Sequence, residues 1–488
     1  MTTTQEPSAR HMNLAAWVGF FLGPLLLLIC IVTPPPGDMS QAAWYTVGMT
    51  LLMAVWWATE AIPIPATSLL PILLIPLLGI DSLGKATSPY ANSTIFLFMG
   101  GFIIGLALER WNLHKRIALV TLLAVGSGPK AQVAGFMIAT AFISMWVSNT
   151  ATAIMMLPIG LSIVDMLTSD KDDKGEKERF ATALLLGIAY AASIGGIATL
   201  IGTPPNALLA GFLNENYQIQ IGFGTWMALG VPVSLIMLIV AWWWLTRKNF
   251  RITGGGSQEV LRKELKEMGP ITLGEKLVGL VFLVTSLCWI FQPILKKYVP
   301  GANDTTIAIA AALALFLIPA NLKHRVFLMD WKSANRLPWG VLLLFGGGLS
   351  MAAAIGSSGL ATWIATNVGG IAGGMSTLMI MILVVTVIMF LTEVTSNTAT
   401  AATFLPLMGA LAVAQGMSPT LLAIPTAIAA SCAFMMPVAT PPNAIVFGTG
   451  RMKISSMIKA GFFLNMVGIV VVTGLCYLLI GVLWSVTS

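Results

Sequence analysis

SNTATAIMMLP, residues 148–158, returns as SNTATAATFLP, residues 396–406. Each copy is a polar triplet set in apolar sequence of membrane length. Polar groups at that depth are costly unless they face a bundle interior or a water-filled cavity. The pair therefore marks two corresponding places inside a membrane protein.

The composition agrees. Of 488 residues, 57% are hydrophobic and 9% charged, where a soluble chain would carry about 25% charged residues. The chain reads as an all-α polytopic membrane protein. Its first apolar run, Leu14 to Val32, ends in TPPPGD with no small-residue cleavage site, so it reads as a retained helix and not a signal peptide. Cys30, Cys288, Cys432 and Cys476 lie in apolar runs without metal-ligand spacing and read as plain buried thiols. The net charge of +7 is a topology signal here and points to no nucleic-acid partner.

Laid end to end, the apolar runs give spans near 14–33, 43–61, 64–80 and 94–110, then a re-entrant pair near 131–147 and 150–167. Next come 181–212, interrupted in the middle, 224–246, 273–294, 305–320 and 339–356. A second re-entrant pair near 376–395 and 398–415 precedes 420–449, also interrupted, and 460–485. That is an expectation of eleven transmembrane helices, two of them broken, with the termini on opposite sides. With the N-terminus inside, 23 of the 26 Lys and Arg fall on inside segments, leaving Lys85, Lys296 and Lys297 outside. A misplaced pair of spans would scatter the charges over both faces.

The first hairpin leaves and returns on the basic face, between Lys130 and the SDKDDKGEKER run at 169–179; the second opens on the other face. Similar sequences entering from opposite sides are the signature of an inverted repeat. Other landmarks recur in step. Phe98-Met-Gly-Gly precedes the first triplet by 50 residues and Phe345-Gly-Gly-Gly the second by 51, while Gly202-Thr-Pro-Pro-Asn206 and Ala439-Thr-Pro-Pro-Asn443 follow. Between the halves, residues 247–268, with GGG at 254–256, read as an exposed linker and a short surface helix.

Thr203-Pro-Pro and Thr440-Pro-Pro cannot continue a helix, but Pro suits the first turn of a new one. Each should end one half-helix and begin another. Ser, Asn and Thr suit capping positions at the hairpin tips. Broken backbone at membrane depth is tolerated where it is buried in protein or lines a cavity. Four half-helix N-termini, each worth roughly half an elementary charge, would converge to attract a dianion without Lys or Arg. The half-helices ending there offer free carbonyls to a small hard cation such as sodium. One Ser-Asn-Thr alone is ordinarily a polar contact between helices, and one Pro-Pro a kink; four such features in matched positions argue for a site.

The doubled SNT, the TP motifs, the opposed hairpins and the eleven-crossing layout resemble the divalent anion:sodium symporter family, over about residues 15–485. The resemblance implies a homodimeric elevator-type transporter of the cytoplasmic (inner) membrane that carries succinate, malate or fumarate with two or more sodium ions per protomer. It implies scaffold parts at 1–130 and 271–375, transport parts at 131–246 and 376–488, and a cytoplasmic linker at 247–270. Substrate carboxylates would be held by Asn149, Thr150, Ser396, Asn397 and Thr398, with Thr203, Pro204, Thr440 and Pro441 completing the pocket. One sodium would take Ser144, Ser148, Asn149 and Gly202, the other Thr392, Thr395, Asn397 and Ala439.

Glu393, four residues before Asn397, is read either as a proton or cation site on the same helical face or as a structural hydrogen-bonding group. Glu60 reads as an interfacial anchor and Asp165 as a solvated carboxylate; His11, His114 and His324 form no metal cluster. An enzyme using the triplet hydroxyls as nucleophiles would need a partnered base, and no His or Lys is available at that depth. Closed hairpin tips favour alternating access over a channel, and no GxxxxGK[ST] loop supports ATP drive. Sulfate, citrate, and sodium-independent dicarboxylate exchange remain open alternatives within the transporter class.

Overall fold

The computed structural model describes residues 14–168, 174–252, 257–368 and 374–484; Arg10, Lys171 and the GGG at 254–256 lie outside them. Helices dominate. Nine among the described residues are long and apolar enough to cross a membrane, and shorter apolar helices cover Ile64–Leu77, Asp304–Leu317, Thr377–Leu391 and Thr420–Ala430. The nine include both second hairpin arms, Asn149–Leu167 and Asn397–Ala414, so length alone does not set the number of crossings.

Most expected spans appear within a few residues of their bounds. Two depart from expectation. The run 64–80 is divided into Ile64–Thr67 and Leu70–Leu77, because Pro71 brings no N–H back to the preceding turn and the helix restarts there. The run 273–294 stops at Ile290, and a short helix, Gln292–Tyr298, starts anew with Pro at its first turn. A two-stranded antiparallel ribbon, Pro319–Asn321 with Val326–Phe327, and the helices Leu113–Val125 and Leu360–Val368 carry no signal in the span pattern. The expected surface helix is present as Ser257–Glu267 and packs on Leu113–Val125 and Asn149–Leu167.

Ion pairs connect the segments assigned to the basic face. Arg110 meets Asp330 at 2.6 Å, Arg336 meets Glu109 at 3.0 Å, Lys115 meets Glu264 at 2.8 Å and Arg116 meets Glu275 at 2.6 Å. Lys453 meets Glu178 at 3.1 Å and Arg451 meets Asp165 at 3.2 Å. The exposed pairs among them are individually worth about 1 kcal/mol at most and hold little of the fold; Arg116–Glu275 is the buried pair. Their value is positional, because each joins segments far apart in sequence. Asp165 remains exposed but faces Arg451.

The two halves pack alike. In the first, the hairpin arm Pro129–Ser144 lies on Lys174–Ile197, and Phe223–Thr246 packs against both. In the second, Thr377–Leu391 lies on Thr420–Ala430, and Ile454–Leu483 packs against both. The halves then cross: Asn149–Leu167 packs on Pro441–Phe447, and Asn397–Ala414 on Pro204–Tyr217. At the centre, Lys174–Ile197 is buried from Phe180 onward except at Thr182. Each hairpin thus packs on the broken helix of its own half and on the half-helix beyond the break of the other, while residues such as Ile138, Ile154, Val387 and Val394 stay exposed on the hairpins' outer sides.

Candidate functional site

Four half-helices begin where the motifs place them. Asn149–Leu167 starts at Ser148 and Asn397–Ala414 at Ser396, while Pro204–Tyr217 starts at Thr203 and Pro441–Phe447 at Thr440. The first N–H groups of a helix have no partner within it. Ser148 caps the Ala151 N–H at 3.2 Å and Thr440 that of Asn443 at 3.3 Å, whereas Ser396 and Thr203 provide no side-chain cap. Pro441–Phe447 has only seven residues, so its positive pole is the weakest of the four. The hydroxyls of Thr150, Ser396 and Thr398 are part-exposed and make no hydrogen bond among the described residues. Donors are therefore available at both tips.

Behind the first tip, oxygens converge. Ser144 Oγ lies 2.5 Å from Asn149 Oδ1 and 2.7 Å from the Ala192 carbonyl. With its nitrogen turned inward, the Asn149 amide donates to Gly202 O at 3.2 Å, Ala192 O at 3.1 Å and Ser144 Oγ at 2.5 Å. With Oδ1 inward, the same position is ringed by acceptors, the donor set of a hard cation. The backbone is tight here. A methyl on Gly196 would come within 2.8 Å of Asn149 Oδ1 and 2.9 Å of Gly202 O, and a methyl on Gly202 would overlap the Gly196 carbonyl. Among the described residues no cluster of His, Cys, Asp or Glu could hold a metal, so neutral oxygens are what the fold offers.

The second tip repeats the arrangement with a threonine. Thr392 Oγ1 lies 2.8 Å from both Asn397 Oδ1 and the Ala430 carbonyl, with a single proton to give to one of them. Ala192 and Ala430 each belong to the half-helix before the break. Other nominated residues stand apart from these clusters. The Ser148 side chain is exposed and used as a cap, and Thr395 Oγ1 bonds Leu391 O at 2.9 Å and Thr400 Oγ1 at 2.6 Å. Thr203, Thr440 and Ala439 are buried, Pro204 is half-buried and Pro441 is exposed.

Two asparagines hold the breaks open. Asn206 Nδ2 donates to Thr199 O at 2.8 Å, with Gly196 O and Ile197 O at 3.3 and 3.4 Å. Asn443 Nδ2 donates to Met436 O at 3.1 Å and Ala433 O at 3.2 Å. Thr199 Oγ1 also donates to Met145 O at 2.5 Å, tying the first break to the first tip. Both asparagines sit in the repeated Thr-Pro-Pro-Asn motif, and that repetition was the available signal for a role.

The second break, residues 431–440, is longer than the first, 198–203, and has more backbone to satisfy. Glu393 does so. Its carboxylate accepts the N–H groups of Phe434 at 2.8 Å, Met435 at 2.9 and 3.0 Å and Met436 at 3.1 Å, and Asn465 Nδ2 at 2.8 Å. Of the two readings of Glu393, the geometry favours the structural one. The helical-face argument fails because the arm ends at Leu391 and the next helix begins at Asn397.

The sequence profile of the sodium:sulfate symporter transmembrane region matches residues 14–486. The chain belongs to the divalent anion:sodium symporter family. Membership in this symporter family places it among transport proteins and not enzymes. A protein of Staphylococcus saprophyticus named sodium-dependent dicarboxylate transporter SdcS is 44% identical over 98% of this chain and 94% of its own. Its namesake in Staphylococcus aureus strain USA300 is 43% identical over 94% of this chain and 90% of its own. Among solved structures, the YdaH transporter of Alcanivorax borkumensis aligns with a TM-score of 0.59 at 16% identity, covering 96% of this chain and 99% of that one. MtrF of Neisseria gonorrhoeae aligns with a TM-score of 0.54 at 12% identity, covering 95% of both. These two speak to the fold alone.

Gly202→Ala tests the tight approach. Its methyl overlaps the Gly196 carbonyl and so shifts the Gly202 backbone, whose carbonyl lies 3.2 Å from the Asn149 amide, and loss of support for a cation ligand costs roughly 10- to 100-fold in affinity. The sodium concentration for half-maximal uptake should rise by about that factor; an unchanged sodium activation curve would remove Gly202 from the site.

Proposed function

We propose that this family member is a secondary active transporter that carries C4-dicarboxylates such as succinate, malate and fumarate together with sodium. The observation that carries the proposal is the pairing, at each tip, of unused N–H and hydroxyl donors with a neutral oxygen cluster directly behind them. Donors suit a dianion and oxygens suit sodium. Filling one lowers the electrostatic cost of filling the other, so the pairing couples the two. The names of the 43–44% identical relatives favour dicarboxylate and sodium as the cargo.

The substrate carboxylates are held by Asn149, Thr150, Ser396, Asn397 and Thr398, with Thr203, Pro204, Thr440 and Pro441 closing the pocket. Ser144, Asn149 and Gly202, with the Ala192 carbonyl, hold one sodium; Thr392 and Asn397, with the Ala430 carbonyl, hold the other. Ser148, Thr395 and Ala439 contribute through backbone oxygens. Eleven crossings in two inverted repeats, with the N-terminus inside and the C-terminus outside, account for the basic face. The parts at 131–246 and 376–488 move as the transport domain against a scaffold at 1–130 and 271–375 that forms the homodimer contact.

The family description also names sulfate. Competition separates the cargoes: unlabelled malate and fumarate should suppress radiolabelled succinate uptake into proteoliposomes, and sulfate and citrate should not. Suppression by sulfate with none by malate would overturn the dicarboxylate assignment.

A further inference from the structure

We propose that a cavity of about 450 Å³ between Lys174–Ile197, Phe223–Thr246 and Ile454–Leu483 binds the phosphate headgroup of an anionic membrane lipid. Its wall carries Arg179, Arg247, Lys248, Lys453 and Lys459 against one carboxylate, Glu178. Part of this charge is already engaged. Arg179 pairs with Glu176 at 2.5 Å and Lys453 with Glu178 at 3.1 Å. Lys248 and Lys459 are exposed and have no ion-pair partner among the described residues, so the cavity holds a surplus of cations. Arg247 is fixed in place, its guanidinium 3.3 Å above the Trp244 ring, which stacks in turn on Phe463 at 3.8 Å.

What lies beside the charge selects a lipid over a free anion. The cavity opens on the basic face at the end of Phe223–Thr246 and the start of Ile454–Leu483. One to two turns deeper on the same helices, Trp243, Ile239 and Phe462 are 54%, 56% and 49% exposed. A basic head above an exposed apolar flank matches a phosphodiester joined to acyl chains, and basic pockets between membrane helices on the positive face suit such headgroups. The cavity is lined by none of the motif residues of the substrate site, so the proposal stands apart from the identity of the cargo.

The test is native mass spectrometry of the detergent-solubilised full chain titrated with phosphatidylglycerol, with phosphatidylcholine, and with excess inorganic phosphate as competitor. The expected result is an adduct with phosphatidylglycerol at lower concentration than with phosphatidylcholine, undisturbed by inorganic phosphate. Lys248→Gln combined with Lys459→Gln should weaken that adduct about tenfold with the thermal midpoint unchanged. Ser456→Glu, which brings a carboxylate into the same wall, should weaken it too. Equal binding by wild type and both variants, or equal binding of the two lipids, overturns the proposal. Displacement of the lipid by inorganic phosphate assigns the cavity to free anions and overturns it as well.

Discussion

Replacing Asn149 or Asn397 by alanine is expected to lower succinate uptake by about a hundredfold or more while leaving the protein folded. Each amide lies at the first position of a half-helix and beside the hydroxyl that leads back to the helix break, Ser144 in one half and Thr392 in the other. In the proposed site, truncation removes a substrate donor and a cation ligand together. Two interactions of about 1.5 kcal/mol each suffice for the hundredfold loss. Both tips are part-exposed, so the deletions open no core cavity and the thermal midpoint should hold. Initial rates in proteoliposomes, beside a melting curve, decide the matter; near-normal uptake by either variant would take that asparagine out of the site.

Glu393→Gln should have the largest effect on stability. The native carboxylate accepts from three consecutive backbone N–H groups and from Asn465. A glutamine keeps one acceptor oxygen and turns an NH2 donor toward donors. Disturbing a buried charged network of this kind costs about 3–5 kcal/mol, and the break at 431–440 should loosen. A sharply lowered thermal midpoint in detergent is the expected outcome. A variant that melts like wild type yet loses cation-dependent uptake would make Glu393 a coupling group instead of a clamp.

The motif residues disclosed the skeleton of the site because their chemistry is local. Pro-Pro cannot propagate a helix, so the restarts fall at Thr203 and Thr440; Ser148 and Ser396 take N-cap positions as Ser does at exposed helix starts. The basic residues find partners far away in sequence, such as Asp330 for Arg110 and Glu178 for Lys453, and those pairings could not be read from the charge pattern. What the sequence hides is carried by the backbone. The Ala192 and Ala430 carbonyls that complete the oxygen clusters have no side chain to announce them. Glu393 was misleading because a four-residue spacing describes one face only while the helix continues, and it ends at Leu391. The division of 64–80 followed from Pro71, whose effect depends on where in the helix it falls.

The coupling of an anion site to cation clusters made of neutral oxygens is tested most directly by succinate uptake into proteoliposomes with and without an inward sodium gradient. Saturable uptake that rises with the gradient, and falls to the background of protein-free liposomes when potassium replaces sodium, is the predicted result. Saturable succinate uptake of equal rate with sodium and without it would contradict the account.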